Sequence, residues 1–192
     1  MKRLSLYLFL ILFTLQTPSQ ADDIRDFQIE GMSVGDSALD YFSEKEIISH
    51  KMDWFKSSKF TVVDQLNLPS SKVYETLQIS FKTNDKKFNL HGIEGTIFYK
   101  NKIKDCYKKM DEIELELSEL FKNAKKLDKV THKHSYDKSG ESTITDISFR
   151  LNDGIVILAC YDWSEKQPWD DHLRISVRTK EYSDFLDYEA YK

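Results

Sequence analysis

The sequence predicts an α+β protein in which helices pack on an antiparallel sheet. Several segments with a period of two are joined by short polar turns, which is typical of antiparallel strands. One long segment with a helical period interrupts them. The predicted order is two helices, three strands, one helix, four strands and one helix, which is an α+β arrangement.

The first 21 residues have the pattern of a secretory signal peptide. Lys2 and Arg3 precede a predominantly apolar run over residues 4–15, and Ser19 and Ala21 stand at positions −3 and −1 of a cleavage site. A transmembrane anchor is the alternative, but spanning a bilayer takes about 20 apolar residues. We therefore expect cleavage near Ala21 and a periplasmic or secreted product with no stable membrane insertion.

The remaining residues, 22–192, are expected to form a single α+β domain. The whole chain has a net charge of −4, and removal of the leader reduces its 28 Lys and Arg to 26 against 32 acidic residues, a net charge of −6. Nonspecific nucleic-acid binding needs a basic surface, so no nucleic-acid partner is expected. A protein or a small ligand in the cell envelope is the expected partner.

Two short helices are predicted at the start of this domain. Capping-box patterns at residues 33–36 and 43–46 favour helices over residues 34–42 and 44–51. Helical spacing would place three apolar residues of the first helix on one face: Ala38, Leu39 and Phe42.

The stretch IEGMSVGDSALDYF, residues 29–42, resembles the opening of the SmpA/OmlA family of small outer-membrane assembly proteins. In that family an apolar residue, a Gly-Met-Ser/Thr triplet and an amphipathic helix precede a small antiparallel sheet. The matching residues are Ile29, Gly31, Met32, Ser33 and Leu39. The lipidated Cys and the Gly-x-Pro of that family have no counterpart here. The resemblance implies an architecture and an envelope location, and it transfers no residue role.

Three strands are predicted next, over residues 59–65, 73–82 and 88–100. Residues of the second recur with a period of two and would share one face: Val73, Leu77, Ile79 and Phe81. Gly92 and Gly95 in the third indicate a bulge or a close approach of another chain segment.

A long amphipathic helix is predicted over residues about 101–125, packed on the sheet. Its apolar positions form one stripe at helical spacing: Ile103, Cys106, Tyr107, Met110, Ile113, Leu117, Leu120, Phe121 and Ala124. Lys and Glu cover the opposite face, so a solvated outer surface is favoured over a partner-binding helix.

Four strands follow, over residues 129–137, 142–151, 155–163 and 173–179, and a short helix over 181–191 ends the chain. The Asn-Asp-Gly sequence at 152–154 is a strong hairpin signal.

A disulfide between Cys106 and Cys160 is predicted. If Asp153–Gly154 form a two-residue loop, Ile147 lies opposite Cys160, and Cys160 shares the inner face of the sheet with Val156 and Leu158. Cys106 lies on the apolar stripe of the long helix, and an exported chain meets an oxidising compartment. The alternative is a pair of free thiols packed as small hydrophobic side chains.

Aromatic and acidic residues near the C-terminus form a candidate binding surface for a sugar or a cationic ligand. Its members are Tyr161, Trp163, Trp169, Asp170 and Asp171. The alternative is that the tryptophans close one end of the core.

The histidines indicate an alternative function of a different class, that of a metal-assisted hydrolase. His132 and His134 share one face of a strand, and His172 could complete a metal site with them. An HxH pair alone is less specific than a full zinc motif, so no metal and no cofactor is favoured. Because no catalytic motif is present, we expect a non-catalytic envelope protein acting as a binding or assembly module.

Overall fold

The structure is a computed structural model that describes residues 23–192, so the predicted signal peptide lies outside the described residues. Within this range nine strands form one antiparallel sheet. They are β1 Lys51–Met52, β2 Phe60–Leu66, β3 Thr76–Lys82, β4 Leu90–Phe98, β5 Lys125–Lys126, β6 Val130–Lys133, β7 Thr143–Arg150, β8 Gly154–Asp162 and β9 His172–Thr179. Their order in space is β1-β2-β3-β4-β9-β8-β7-β5, and β6 also pairs with β7.

The helices are α1 Glu44–Ser49, α2 Ile103–Leu120 and α3 Lys180–Tyr188, and the predicted α+β class is confirmed. Strands that precede α2 in the chain join those that follow it through the pairing of β4 with β9, where Ile93 lies opposite Val177. No helix in the described range is long and apolar enough to span a bilayer.

The two faces of the sheet differ in chemistry. On β9, Leu173, Ile175 and Val177 point to the core, which is closed by α2 and by the chain segment that precedes α1. The alternate residues of β9 point to the opposite side, which we call the polar face. Helix α3 crosses the polar face and buries Tyr182 and Phe185 against Phe60.

The predicted helix over residues 34–42 is wrong. Ser33 N–H donates to Asp36 Oδ2 at 2.9 Å, as in a capping box, but Gly35 has a φ of +96° and closes a turn instead. A single 3₁₀ turn, Ala38–Asp40, follows and leaves Leu39 exposed rather than on an apolar face. The second predicted helix is confirmed as α1, with Ser43 accepting from Glu46 N.

The start of β3 also differs from the prediction. The strand begins at Thr76, and Val73 is exposed in a preceding turn rather than on the inner face. The carboxylate of Glu30 fixes this turn, because it accepts hydrogen bonds from the backbone N–H of Val73 and from Ser71 Oγ. This contact joins residues more than forty positions apart, so no local pattern indicates it.

The hairpin between β7 and β8 is confirmed, but the predicted register is wrong by two residues. Thr145, not Ile147, lies opposite Cys160. The connection is longer than two residues, with Leu151 N–H donating to Gly154 O at 2.9 Å. A shift by an even number keeps every side chain on its face, so Cys160 still points to the core.

The predicted disulfide is confirmed. Cys106 and Cys160 are bonded with their Cα atoms 6.1 Å apart, and both residues are fully buried. The bond joins the first turn of α2 to β8 across the core.

Candidate functional site

The polar face carries a buried ionic cluster of Glu94, Arg174 and Arg178. Glu94 Oε1 lies 2.7 Å from Arg178 Nη2, and Glu94 Oε2 lies 3.4 Å from Arg174 Nη1. Burial alone would raise the pKa of Glu94, but the two guanidinium groups outweigh it and hold the pKa below its usual value. One carboxylate therefore faces two cations, and these three side chains together have a net positive charge.

Buried polar atoms without a hydrogen-bond partner concentrate on and around this face. In the described part of the chain they are Gln78 Oε1, Glu94 Oε2, Trp163 Nε1, Ser164 Oγ, His172 Nε2, Arg174 Nε, Ser176 Oγ, Arg178 Nε and Ser183 Oγ. All belong to the polar face, to α3 above it, or to the loop between β8 and β9. Buried polar groups are usually paired, so this concentration distinguishes the polar face and its surroundings from the apolar core.

An aromatic cluster extends the polar face at the end where β8 and β9 are connected. Its members are His134, Tyr136, Tyr161, Trp163, Trp169 and His172. The ring centroids of Tyr161 and His172 are 4.4 Å apart in a stacked pair, and those of Trp163 and Trp169 are 4.7 Å apart. His134 lies 4.3 Å from Trp163, and Tyr136 meets Trp169 edge-on. The rings thus form one continuous surface from the buried His172 to the exposed Trp169.

The β8–β9 loop that carries the two tryptophans is held by hydrogen bonds to its neighbours. Asp171 Oδ1 accepts from Trp163 N–H at 2.9 Å, and Ser142 Oγ accepts from Ser164 N–H at 3.0 Å. Gln167 Nε2 donates to Asp137 Oδ1 at 2.9 Å, which ties the loop to the β6–β7 connection. The exposed rings are therefore presented by a fixed loop.

Asp137 organises the β6–β7 connection. Its carboxylate accepts hydrogen bonds from the hydroxyl groups of Ser142 and Ser139 and from both their backbone N–H groups. These bonds, led by that of the Ser142 side chain, hold the pKa of Asp137 well below its usual range. The sequence interpretation missed Asp137, although an Asp two residues before a Ser in a turn is a signal for an Asx turn.

The structure brings together most of the predicted binding surface. Tyr161, Trp163 and Trp169 lie in the aromatic cluster, and Asp170 is exposed beside them. Asp171 differs, because it is buried and positions the Trp163 backbone instead of facing solvent.

His172 is held as a neutral ring. Its Nδ1 lies 2.9 Å from the carbonyl oxygen of Asp170, which can only accept, so Nδ1 carries the proton. Burial and the nearby positive charge of Arg174 lower the pKa of His172 to about 4. Its unpartnered Nε2 is then a hydrogen-bond acceptor.

The three histidines of the metal hypothesis have separate roles. His132 Nδ1 lies 3.4 Å from Asp146 Oδ1, and His134 Nδ1 accepts from Tyr136 N–H at 3.2 Å. Across residues 23–192 no group of three or more His, Cys, Asp or Glu side chains has an arrangement that could hold a metal ion. The geometry thus gives no support to a metal-assisted reaction at these residues.

The polar face and the β8–β9 loop each adjoin a cavity. A cleft of about 530 Å³ lies between α3 and strands β7 and β8, with Arg178 and Ser183 in its walls. A pocket of about 420 Å³ lies at the aromatic end, between the β8–β9 loop and Asn101 in the connection from β4 to α2. We call the second one the tryptophan pocket. Its lining residues are Asn101, Trp163, Ser164, Glu165, Gln167, Pro168, Trp169 and Asp170.

No family model, no curated protein and no solved structure matches this chain.

Proposed function

We propose that the protein is a non-catalytic, exported binding protein of the bacterial envelope, with its ligand site at the aromatic cluster. The observation that carries this proposal is the convergence of Tyr161, Trp163 and Trp169 with His134 and Tyr136, which come from separate strands and loops. Trp169 is 42% exposed and Tyr136 is 65% exposed.

Exposed aromatic rings beside a pocket are a recurrent basis for binding. Rings bury a large apolar area with few rotatable bonds, and aromatic residues are enriched in interfaces. The tryptophan pocket, at about 420 Å³, falls within the ~300–1,000 Å³ range of small-molecule sites. The fixed β8–β9 loop reduces the entropy that a ligand must overcome on binding.

The two histidines in the cluster support binding better than catalysis. His134 uses Nδ1 to accept from a backbone N–H, and His172 uses Nδ1 to donate to a backbone carbonyl. A general base needs a free nitrogen within reach of a substrate proton, whereas the free Nε2 of His172 is buried. Both rings serve instead as supports against which Tyr161 and Trp163 pack.

Several observations support the envelope location. A buried Cys106–Cys160 disulfide is compatible with an oxidising compartment. The leader-like pattern of residues 1–21 and the resemblance of residues 29–42 to the SmpA/OmlA family agree with export. Intact-mass measurement of periplasmic protein should give a chain that begins at Asp22, and a full-length chain in the membrane fraction would contradict cleavage.

A thermal-shift experiment tests the ligand site. The mature protein is heated with members of four classes: amino acids, quaternary amines, mono- and disaccharides, and small carboxylates. At least one class should raise the Tm of the wild type and of Trp54→Ala, but not that of Trp169→Ala. Trp54 is the matched control because it is 43% exposed and lies outside the cluster. If no class has an effect that depends on Trp169, the proposed site is wrong.

A further inference from the structure

We infer that the ligand is a neutral sugar, a mono- or disaccharide, bound in the tryptophan pocket with one ring face stacked on Trp169. This inference rests on the proposed function and names its ligand class. It follows from three features of the pocket: the exposed ring, the charges of the lining and the unpaired donor of Trp163.

The exposed ring provides the stacking surface. Trp169 packs on Trp163 on one side, with centroids 4.7 Å apart, and Tyr136 meets it edge-on at 5.2 Å. The ring is therefore supported but retains an accessible part. The C–H groups on one side of a sugar ring form an apolar surface that matches an aromatic face.

The charges of the lining disfavour an anionic ligand. Glu165 and Asp170 are both exposed at the pocket, and its eight lining residues include no Lys and no Arg. A carboxylate or phosphate would meet like charge, and none of the lining residues supplies a compensating cation. Sugar hydroxyl groups, by contrast, donate to carboxylates and to the side-chain oxygen atoms of Asn101 and Gln167.

The unpaired donor of Trp163 disfavours a simple cation. Trp163 Nε1 has no hydrogen-bond partner, and neither has Ser164 Oγ in the same lining. An indole N–H only donates, so a quaternary ammonium group leaves it unpaired, whereas a sugar oxygen can accept from it. Both atoms are covered by protein in the structure, and Trp163→Phe tests whether the sugar reaches Nε1.

The packing of the rings also argues against a cage for a cation. Aromatic cages enclose a cation between ring faces. Here His134, Trp163 and Trp169 pack against one another with tilted ring planes, at centroid distances of 4.3 and 4.7 Å. The arrangement provides one exposed aromatic ring, that of Trp169, and no enclosed site for a cation.

Isothermal titration of the mature, disulfide-bonded protein tests the inference. The probes are glucose, galactose, N-acetylglucosamine, maltose and cellobiose, with glucuronate as the anionic analogue and choline as the cation. At least one neutral sugar should bind. If glucose binds, glucuronate should bind at least tenfold more weakly than glucose does. Trp169→Ala should weaken sugar binding at least tenfold, whereas Trp54→Ala should leave it unchanged.

Trp163→Phe separates the donor from the ring. This variant keeps an aromatic side chain and removes Nε1–H, so the affinity for the sugar should fall about three- to tenfold, the effect of one neutral hydrogen bond. Unchanged affinity in Trp163→Phe, or binding of choline that requires Trp169 while no sugar binds, would overturn the sugar assignment. The choline result would leave the proposed binding site in place. Absence of every Trp169-dependent ligand in the thermal-shift panel would instead remove both proposals.

Discussion

Glu94 Oε1 accepts a hydrogen bond from Arg178 Nη2 at 2.7 Å, although 84 residues separate the two in the chain. The pairing of β4 with β9 sets them diagonally across the polar face, since Glu94 lies opposite Ser176. Arg174 approaches the other carboxylate oxygen at 3.4 Å. With its side chain 5% exposed, Glu94 is the buried counter-ion of two guanidinium groups.

Replacement of Glu94 by Gln should destabilise the protein strongly. The change removes the carboxylate that contacts both Arg174 and Arg178, and leaves only the weaker attraction of Asp64 for Arg174. Breaking a buried ion pair costs ~3–5 kcal/mol, and the partial exposure of both arginines places the expected loss near ~3 kcal/mol. Urea denaturation measures the free energy of unfolding. Glu116→Gln, at an exposed position on α2, is the control and should change the free energy of unfolding by less than ~0.5 kcal/mol. An equally small change in Glu94→Gln would contradict the prediction.

Gly154 is required where β8 begins. A Cβ at this position would lie 2.2 Å from the carbonyl oxygen of Arg178 and 2.3 Å from Ile24 Cδ1. The carbonyl belongs to the backbone of β9 and cannot turn away, so Gly154→Ala should cost ~3 kcal/mol or more in stability. Gly31→Ala is the control, because no atom lies within 4 Å of its added Cβ, and its positive φ should cost only ~1–2 kcal/mol. Equal midpoints for the two variants in a denaturant titration would show that the packing argument is wrong.

Side-chain faces were predictable from the sequence because they depend on local periodicity. The alternation on β9 placed Leu173, Ile175 and Val177 in the core correctly. The direction of Cys160 was correct even with the hairpin register wrong by two residues, since the faces of a strand repeat every two positions.

Contacts between distant segments were not predictable, because no local pattern records which strands become neighbours. The Glu94–Arg178 pair depends on the β4–β9 pairing, and the Asp137–Gln167 bond joins two loops 30 residues apart. The failed helix at residues 34–42 has a similar cause. Ala38 N–H donates to Phe88 O, next to β4, and this contact replaces the bond to Val34 O that a helix would make.

His172 should make stability depend on pH. Burial lowers its pKa to about 4, whereas an unfolded chain has the ordinary value of 6.5. The unfolded state therefore binds a proton at a higher pH than the native state does. The contribution of the neutral ring to the free energy of unfolding is therefore fully present above pH 6.5 and is lost as the pH falls towards 4. The total loss is ~3 kcal/mol.

The variant His172→Gln isolates this effect from the titration of other groups. Glutamine does not titrate, so wild type and variant share the remaining pH dependence. The difference between their free energies of unfolding should shift by ~3 kcal/mol in favour of the variant between pH 7 and pH 4. Chemical denaturation at four or five pH values measures it. A difference that stays constant with pH would mean that the buried ring does not titrate as described.

The disulfide should support both stability and the tryptophan pocket. Cys106 lies in the first turn of α2, which follows Asn101, and Cys160 lies in β8, which leads to Trp163. Asn101 and Trp163 both line the pocket, so the bond joins the two elements next to which these residues lie.

Loss of the bond is tested with the Cys106→Ala/Cys160→Ala double variant. The two residues are 54 positions apart, and the chain-entropy model gives ~4 kcal/mol for a loop of this length, a large part of the ~5–15 kcal/mol typical of a domain. The free energy of unfolding of the double variant should fall by about that amount. Reductant should destabilise the wild type to a similar extent and should leave the variant unaffected, which separates loss of the bond from any cavity left by the two sulfur atoms. Titration of exported protein under denaturing, non-reducing conditions should find no free thiol, and two free thiols per chain would refute the disulfide in the cell.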